Sequence, residues 1–446
     1  MVSRSDAAVS NTVVAWMTRA RNMRVHPDNA VNTDGVLLVC ATLRRLLDKI
    51  GQAMPTACPM NETASPAVER AAEDFVQDLL PFQVEQIAFV LGEVYAASLS
   101  STSRRLDGVF YTPPRIAALL LGQASWYRSS RPGQSSGSRS DDSQFDDGHE
   151  ISSRTNWAHS IDGQYNVPPD VYPRSNEGNC DTLFLKGDLL RGPVLEPSCG
   201  FGAFAVPVAR YLAERAGGPR RPDLAVLAVE NGLEGLDLDP VAAWACSCLV
   251  ALAVADVCGA PRAIKPNIHQ ADTLNWRPGS NYSLVIGNPP FGRVVLDRAA
   301  RSRFGDVLSG HANLYALFCQ VAVESCAPGG EIAFVTPSGW LGGAYFSRMR
   351  EFLNRKAPLT SLCFVEERRG VFADALQEAI LWTARKPQDD APAWTGEGDL
   401  PCQKAPSYEA VTDVVDIDRR RAAGSQDRSH SQRAVPVRIM LYRRDV

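Results

Sequence analysis

The sequence predicts an α/β protein with a doubly wound, mostly parallel sheet, preceded by an N-terminal helical region. From about Gly192 onward, strand and helix signals alternate, a pattern that parallel strands joined by crossover helices produce. Between Val36 and Leu99, apolar residues recur every three or four positions, as in LLVCATLRRLLDKI, the period of a helix with one buried face. The chain has 446 residues, 45% of them hydrophobic, enough to bury a sizeable core.

Taken in order, residues 1–107 form the helical region, and the turn-like GVFYTPPR at Gly108–Arg115 opens a catalytic domain spanning 108–386. A helical IAALLLGQ follows. Residues 122–187 are polar, and their SSRPGQSSGSRSDDSQFDDGHE composition buries too little apolar area to offset chain ordering, so a disordered insertion is expected. In the core, PVLE reads as a strand followed by a helix from about Gly202 to Arg215, and LEGLDL as a strand followed by a helix from Pro240 to Val257. A short strand in AIKPNIHQAD, the strand YSLVIG, a helix from about Asn313 to Cys326 and the strand EIAFVT complete it. Residues 387–446, rich in Pro, Gly, Asp and Arg, read as an irregular tail.

Composition excludes several classes. The most apolar stretch, Ala242–Val257, is interrupted by Trp244, Cys246, Ser247 and Asp256 and reads as a packed helix, not a membrane span. The N-terminus lacks the continuous apolar segment of a secretory signal, so the expected location is cytoplasmic. Eleven cysteines without CxxC pairs or nearby His suggest neither a disulfide framework nor a metal site. A net charge of −4 argues against a uniformly basic nucleic-acid coat but leaves room for a local basic face.

The first chemical element is the turn Leu195-Glu196-Pro197-Ser198-Cys199-Gly200-Phe201-Gly202 between a strand and a helix. Its glycines let backbone approach a ligand, and its carboxylate suits a cationic group better than a phosphate. Gly200-x-Gly202-x-x-Ala205 also fits a dinucleotide fingerprint or a simple strand-to-helix turn. Asp237, at the tip of the next strand, is placed to accept from ribose hydroxyls, whereas Asp239 precedes Pro240 and reads as a helix cap. Asp272 follows a strand and could accept from an adenine amino group, or could be an ordinary turn residue.

Asn288-Pro289-Pro290-Phe291, directly after the strand SLVIG, carries the most information. A Pro-Pro turn accounts for the prolines but not for the amide just before them. The amino nitrogen of adenine is a poor nucleophile because its lone pair is delocalised into the ring. The Asn288 side-chain oxygen and the Pro289 carbonyl can both accept its hydrogens, drawing the nitrogen toward a tetrahedral shape aimed at a methyl donor. Phe291 can stack on a base taken out of a duplex. Catalysis would then be mainly alignment for in-line displacement at a sulfonium methyl.

On these residues the chain resembles the γ-type N6-adenine DNA methyltransferases of restriction-modification systems, whose fold is of the S-adenosylmethionine-dependent type. Gly108–Pro114 looks like that family's upstream cofactor motif. The resemblance therefore implies S-adenosylmethionine as cofactor, held by Thr112, Glu196, Pro197, Cys199, Gly200, Gly202, Asp237 and Asp272. It makes Asn288, Pro289, Pro290 and Phe291 catalytic, with Phe291 and Phe346 against the flipped base. Phe346, beside Met349 and Phe352, could equally be core. DNA is the implied partner, and because no complete target-recognition domain is evident after Lys386, either a separate specificity or restriction subunit or a longer parent polypeptide would supply sequence recognition.

Asn-Pro-Pro-aromatic motifs also suit methylation of ribosomal RNA or of a protein glutamine amide, where the nitrogen presents the same problem. A non-catalytic nucleic-acid-binding subunit that keeps the fold is the alternative from another class. A dehydrogenase would leave the Asn-Pro-Pro-Phe motif idle, and Pro401-Cys402-Gln403 lies in the tail without companion cytosine-methylase motifs.

Overall fold

The computed structural model describes residues 4–23, 32–99, 111–128, 192–276, 279, 281–365, 379–388, 409–411 and 439–443. Four helices come first: α1 (Arg4–Arg21), α2 (Thr33–Lys49), α3 (Pro66–Leu79) and α4 (Val84–Ser98). Local chemistry fixes their starts, since Asn32 accepts from Gly35 N, Ser65 accepts from Val68 N, and Pro66 occupies the first turn of α3. α5 (Pro114–Gln123) and the single turn α6 (Ser125–Arg128) lead toward the core.

The core runs β1 (Val194–Glu196), α7 (Ala205–Arg215), α8 (Pro222–Gly232), β2 (Leu233–Asp237), α9 (Pro240–Cys258), β3 (Asn267–Gln270) and β4 (Tyr282–Gly287). A small hairpin of β5 (Arg293–Val294) and β6 (Ala312–Asn313) encloses α10 (Arg298–Arg303). α11 (Leu314–Ser325), β7 (Cys326–Pro337), α12 (Ser347–Lys356), β8 (Leu359–Val365) and β9 (Ala379–Arg385) follow, with β10 (Glu409–Val411) and β11 (Ile439–Arg443) last.

Strands β3-β2-β1-β4-β7 pair in parallel, and β9, β8, β11 and β10 extend the sheet antiparallel. The predicted doubly wound α/β class with an N-terminal helical region is what is observed. Its strands feed two cores because successive side chains point to opposite faces. Val194, Leu284, Ile286, Ala333 and Val335 join the core under the N-terminal helices, α7 and α9. Leu195, Val285, Ile332 and Phe334 join the core under α11 and α12.

α9 is long and apolar enough to cross a membrane, yet 94% of its apolar window is buried within the protein. It lies between β2 and β3 on one side and α2 and α4 on the other, and two covering layers explain why it has no polar face. Its Asp256 pairs with Arg210 of α7 at 2.8 Å, and Arg210 also pairs with Glu85 of α4 at 2.8 Å, so one guanidinium joins three helices.

The structure differs from the sequence reading at several elements. Residues 122–128, assigned to the polar insertion, are structured. Trp126 is buried against Tyr211, and Ser125 Oγ and the Trp126 N–H both donate to Glu331 within β7. Two adjacent aromatics anchor the chain before the polar run begins. The remainder of that stretch lies outside the described residues. α7 starts at Ala205, not Gly202, because Gly200 and Gly202 hold φ of 50° and 84°. α8, β8, β9 and the two tail strands were not anticipated. The tail strands owe their form to an available edge at β8, which local sequence does not reveal.

Candidate active site

In an open α/β sheet, ligands bind beyond the carboxyl ends of the strands where the winding reverses. Here that point lies between β1 and β4, which are adjacent while their connections run to opposite sides. The turn after β1 is tied to the tip of β2: Cys199 N donates to Leu236 O at 2.8 Å, and Gly200 N donates to Asp237 Oδ2 at 2.8 Å. Asp237 Oδ1 accepts from Asp239 N at 2.9 Å, so one carboxylate organises both turns. Glu196 Oε2 accepts from Ala205 N at 2.6 Å, fastening the start of α7. Burial pushes the Glu196 carboxyl well above the usual carboxylate range and raises Asp237 to about 6. Gly202 stands behind the turn, where a Cβ would come within 2.9 Å of Val206 and 3.2 Å of Cys246.

Asp239 caps α9 by accepting from Val241 N and Ala242 N, as its position before a proline predicts. Its other oxygen accepts from the Tyr95 hydroxyl of α4 at 2.6 Å. Asp272 turns both oxygens to its own loop, accepting from Leu274 N at 3.0 Å and Asn275 Nδ2 at 2.6 Å. Thr273, the next residue, donates to Pro197 O and binds this loop to the glycine turn.

These loops surround a cavity of ≈ 700 Å³. Thr112, Glu196, Pro197, Cys199, Gly200, Asp237, Asp272, Asn288 and Pro290 line it, whereas Gly202 and Pro289 are not in its lining. The lining carries four carboxylates, those of Glu196, Asp237, Asp239 and Asp272, and no Lys or Arg among the described residues. Such a cavity suits a ligand bearing positive charge and hydroxyls. It offers nothing to neutralise a pyrophosphate, which separates it from the dinucleotide reading of the same glycines.

The second wall comes from β4. Gly287 passes close to Pro197, and Ser198 Oγ donates to the Asn288 carbonyl at 3.2 Å, so the motif is held against the glycine turn. Asn288 Nδ2 donates to Thr112 Oγ1 at 3.1 Å. With Nδ2 turned to Thr112, Oδ1 is the end of the amide presented as an acceptor. Phe291 meets Tyr315 edge-on, with ring centroids 6.4 Å apart, and Tyr315 stacks on Phe346 at 5.3 Å. Phe346 thus joins the aromatic cluster of Phe291 while remaining partly exposed.

Sequence reasoning missed several contributors. Thr33, Val36, Met60, Tyr95 and Leu99 carry the N-terminal layer into the cavity wall, and no local signal marks them. Tyr111 is buried, packed on Gly92 and on Gly200, where a Cβ would stand only 2.8 Å and 3.1 Å from its ring. Tyr315 lies in the Asn313–Phe318 run, two positions after the hairpin, where an aromatic could have been suspected. Residues 108–110 of the upstream motif lie outside the described residues.

Residues 261–372, which contain the Asn-Pro-Pro-Phe motif, match the Eco57I restriction-modification methylase family. This chain is similar to the Eco57I-type restriction-modification methylases. The type II methyltransferase M.TthHB8I of Thermus thermophilus is 31% identical over 207 residues, covering 44% of this chain and 40% of that protein. The type II methyltransferase M.BsuBI of Bacillus subtilis is 23% identical over 220 residues, covering 45% and 40%. The matches therefore span well under half of these relatives. Among solved structures, that of the DrdV–DNA complex superposes with a TM-score of 0.52 at 12% identity, covering 85% of this chain and 39% of that one, a likeness of fold.

Proposed function

We propose that this chain transfers a methyl group from S-adenosylmethionine to the N6 amino group of adenine in DNA, as the modification component of a restriction-modification or related defence system. The observation that carries the reading is the meeting of two elements at one cavity. A carboxylate-lined glycine turn forms one wall, and an amide oriented by Thr112, beside an aromatic cluster, forms the other.

The cofactor would supply an electrophilic methyl on a positively charged sulfur. Glu196, Asp237 and Asp272 would face it with carboxyl oxygens, and Asp237 would take the ribose hydroxyls with lone pairs left over from its two backbone bonds. Asn288 Oδ1 and the Pro289 carbonyl would accept the two amino hydrogens of adenine, localising the nitrogen lone pair. The proton leaves after the new N–C bond has made the nitrogen cationic and acidic, so no strong base is required. Phe291 and Phe346, backed by Tyr315, would hold the extruded ring. Within this reading residues 108–386 form the catalytic domain, the N-terminal layer closes its cofactor cavity, and a separate specificity or restriction subunit is a fitting partner. Genomic DNA as substrate puts the protein in the cytoplasm.

Long-read sequencing of DNA from cells expressing the chain, beside cells expressing Asn288→Ala, tests this. N6-methyladenine at a defined motif, lost in the variant, is expected. Methyl label found in ribosomal RNA or on protein instead of DNA would move the assignment to another substrate.

A further inference from the structure

A surface beside Phe291 has no structural explanation of its own. After the Asn-Pro-Pro-Phe motif the chain leaves the sheet through β5, forms α10 and returns through β6 to the helix that carries Tyr315. No residue of α10 is fully buried, so apolar packing contributes little to this helix. It is held by the Asp297 cap on Ala300 N, by Arg301 Nη1 donating to Gly310 O at 3.3 Å, and by Arg303, which donates to Leu274 O, pairs with Glu324 and accepts at its carbonyl from Gln320 Nε2 at 2.9 Å. Val295 is 96% exposed.

The segment bearing Phe346 is fastened to this excursion. Arg348 Nη1 donates to Gly305 O at 3.0 Å, Ser309 and Ser347 share a hydrogen bond of 3.2 Å, and Tyr345 packs on Gly310, which holds φ 89°. Tyr345, 59% exposed, also faces the exposed His311 ring at 6.0 Å. Arg293, Arg298, Arg301 and Arg348 are all exposed, and none forms an ion pair among the described residues. Some arginines elsewhere are neutralised by acids, Arg45 by Glu69 and Glu73 and Arg210 by Glu85 and Asp256, and on α10 itself Arg303 pairs with Glu324 at 3.5 Å. The acids beside these arginines include Asp297, which caps α10, Asp306, and Glu324, which pairs with Arg303.

We propose that this arginine face, with Tyr345 and His311 at its centre, seats the phosphate backbone flanking the adenine delivered to Phe291. The inference rests on the DNA adenine-methylase reading. Guanidiniums without an acidic partner match phosphates in charge and geometry, Arg301 and Arg348 keeping donors beyond the one each gives to a backbone carbonyl, and exposed aromatic rings can lie against sugars or a neighbouring base. Continuity with Phe291 and Phe346 puts the contact on the strand that carries the target base. The bonds joining the two segments keep the phosphate and base sites at a fixed spacing.

The test is duplex-oligonucleotide affinity across a salt series, with methyl transfer and cofactor binding measured on the same preparations. Replacing Arg298, Arg301 and Arg348 together by Gln should lower the salt slope by about 1 per arginine and weaken binding at least tenfold at low salt, with cofactor affinity retained. Arg298→Gln alone, which removes no hydrogen bond among the described residues, should lower the slope by about 1 and guards against misfolding of the triple variant. Tyr345→Ala should reduce kcat/KM without altering the slope. A triple variant with the wild-type slope and transfer rate overturns the inference, including the case in which an acidic protein, not DNA, occupies the face. Wild-type protein that methylates no DNA in this assay overturns the adenine-methylase reading as well, so the two failures are distinct.

Discussion

Around Asp237 the cavity is walled by the N-terminal helices and the glycine turn, and its acidic side chains spend oxygens on backbone N–H groups, the Tyr95 hydroxyl and the Asn275 amide. Around Phe291 the wall is a partly exposed aromatic cluster bordered by arginines without acidic partners. The first region is built for rigidity, with Asp237 alone joining two turns. The second is built for access, since Tyr345, His311 and Val295 remain open to solvent. The difference teaches that the two ends answer different demands. A small ligand can be enclosed, whereas a base attached to a polymer must enter from outside.

The largest effect should come from the junction of the two regions. Asn288→Ala is expected to lower kcat by about 10³-fold while leaving cofactor affinity within a factor of about two, as measured by single-turnover transfer and calorimetry. Loss of cofactor binding in that variant would mean the junction belongs to the closed region alone.

Asp237→Ala should come next, weakening cofactor binding at least tenfold and costing about 2 kcal/mol of stability, because Gly200 N and Asp239 N both lose their acceptor. A fall in Tm with unchanged cofactor affinity would reduce Asp237 to a structural role. The same residue gives a pH signature. Burial raises its carboxyl to about 6, so the native state binds this proton more tightly than the unfolded chain, whose value is about 4. Its contribution to stability is therefore fullest below pH of about 4 and is lost as pH rises to about 6. Asp237→Asn should flatten the Tm profile across that window, and an unchanged slope would contradict the burial argument.

In the open region, Phe346→Ala should reduce the fluorescence gain of a 2-aminopurine target by several-fold and leave cofactor affinity intact. Unaltered fluorescence would return Phe346 to the core. Tyr95→Phe is the smallest change, expected to cost about 1 kcal/mol by removing the bond to Asp239 while the cap on α9 persists. Chemical denaturation of the two proteins checks it.

What was legible in the sequence was what is local. The Asn-Pro-Pro-Phe motif follows a buried strand directly, and the glycines at 200 and 202 announce the turn they make. Asp239 betrayed its capping role by preceding Pro240. The enclosing wall was not legible, because Tyr95 and Met60 reach the cavity only through the packing of α2 and α4 on α9. Asp237 was read as a ligand acceptor alone, since its hold on Gly200 depends on β1 and β2 lying side by side. Tyr315 escaped notice for the same reason: its neighbours Phe291 and Phe346 are distant in sequence, and only the fold stacks them.

The central claim is that the enclosed and open regions meet at Asn288 to methylate adenine. Purified chain with methyl-labelled S-adenosylmethionine and unmodified genomic DNA, followed by nucleoside analysis of the product, tests it most directly. The account predicts label in N6-methyladenine with the wild-type chain and none with Asn288→Ala, although both bind the cofactor. Label in a cytosine derivative, or equal N6-methyladenine from Asn288→Ala, would contradict it.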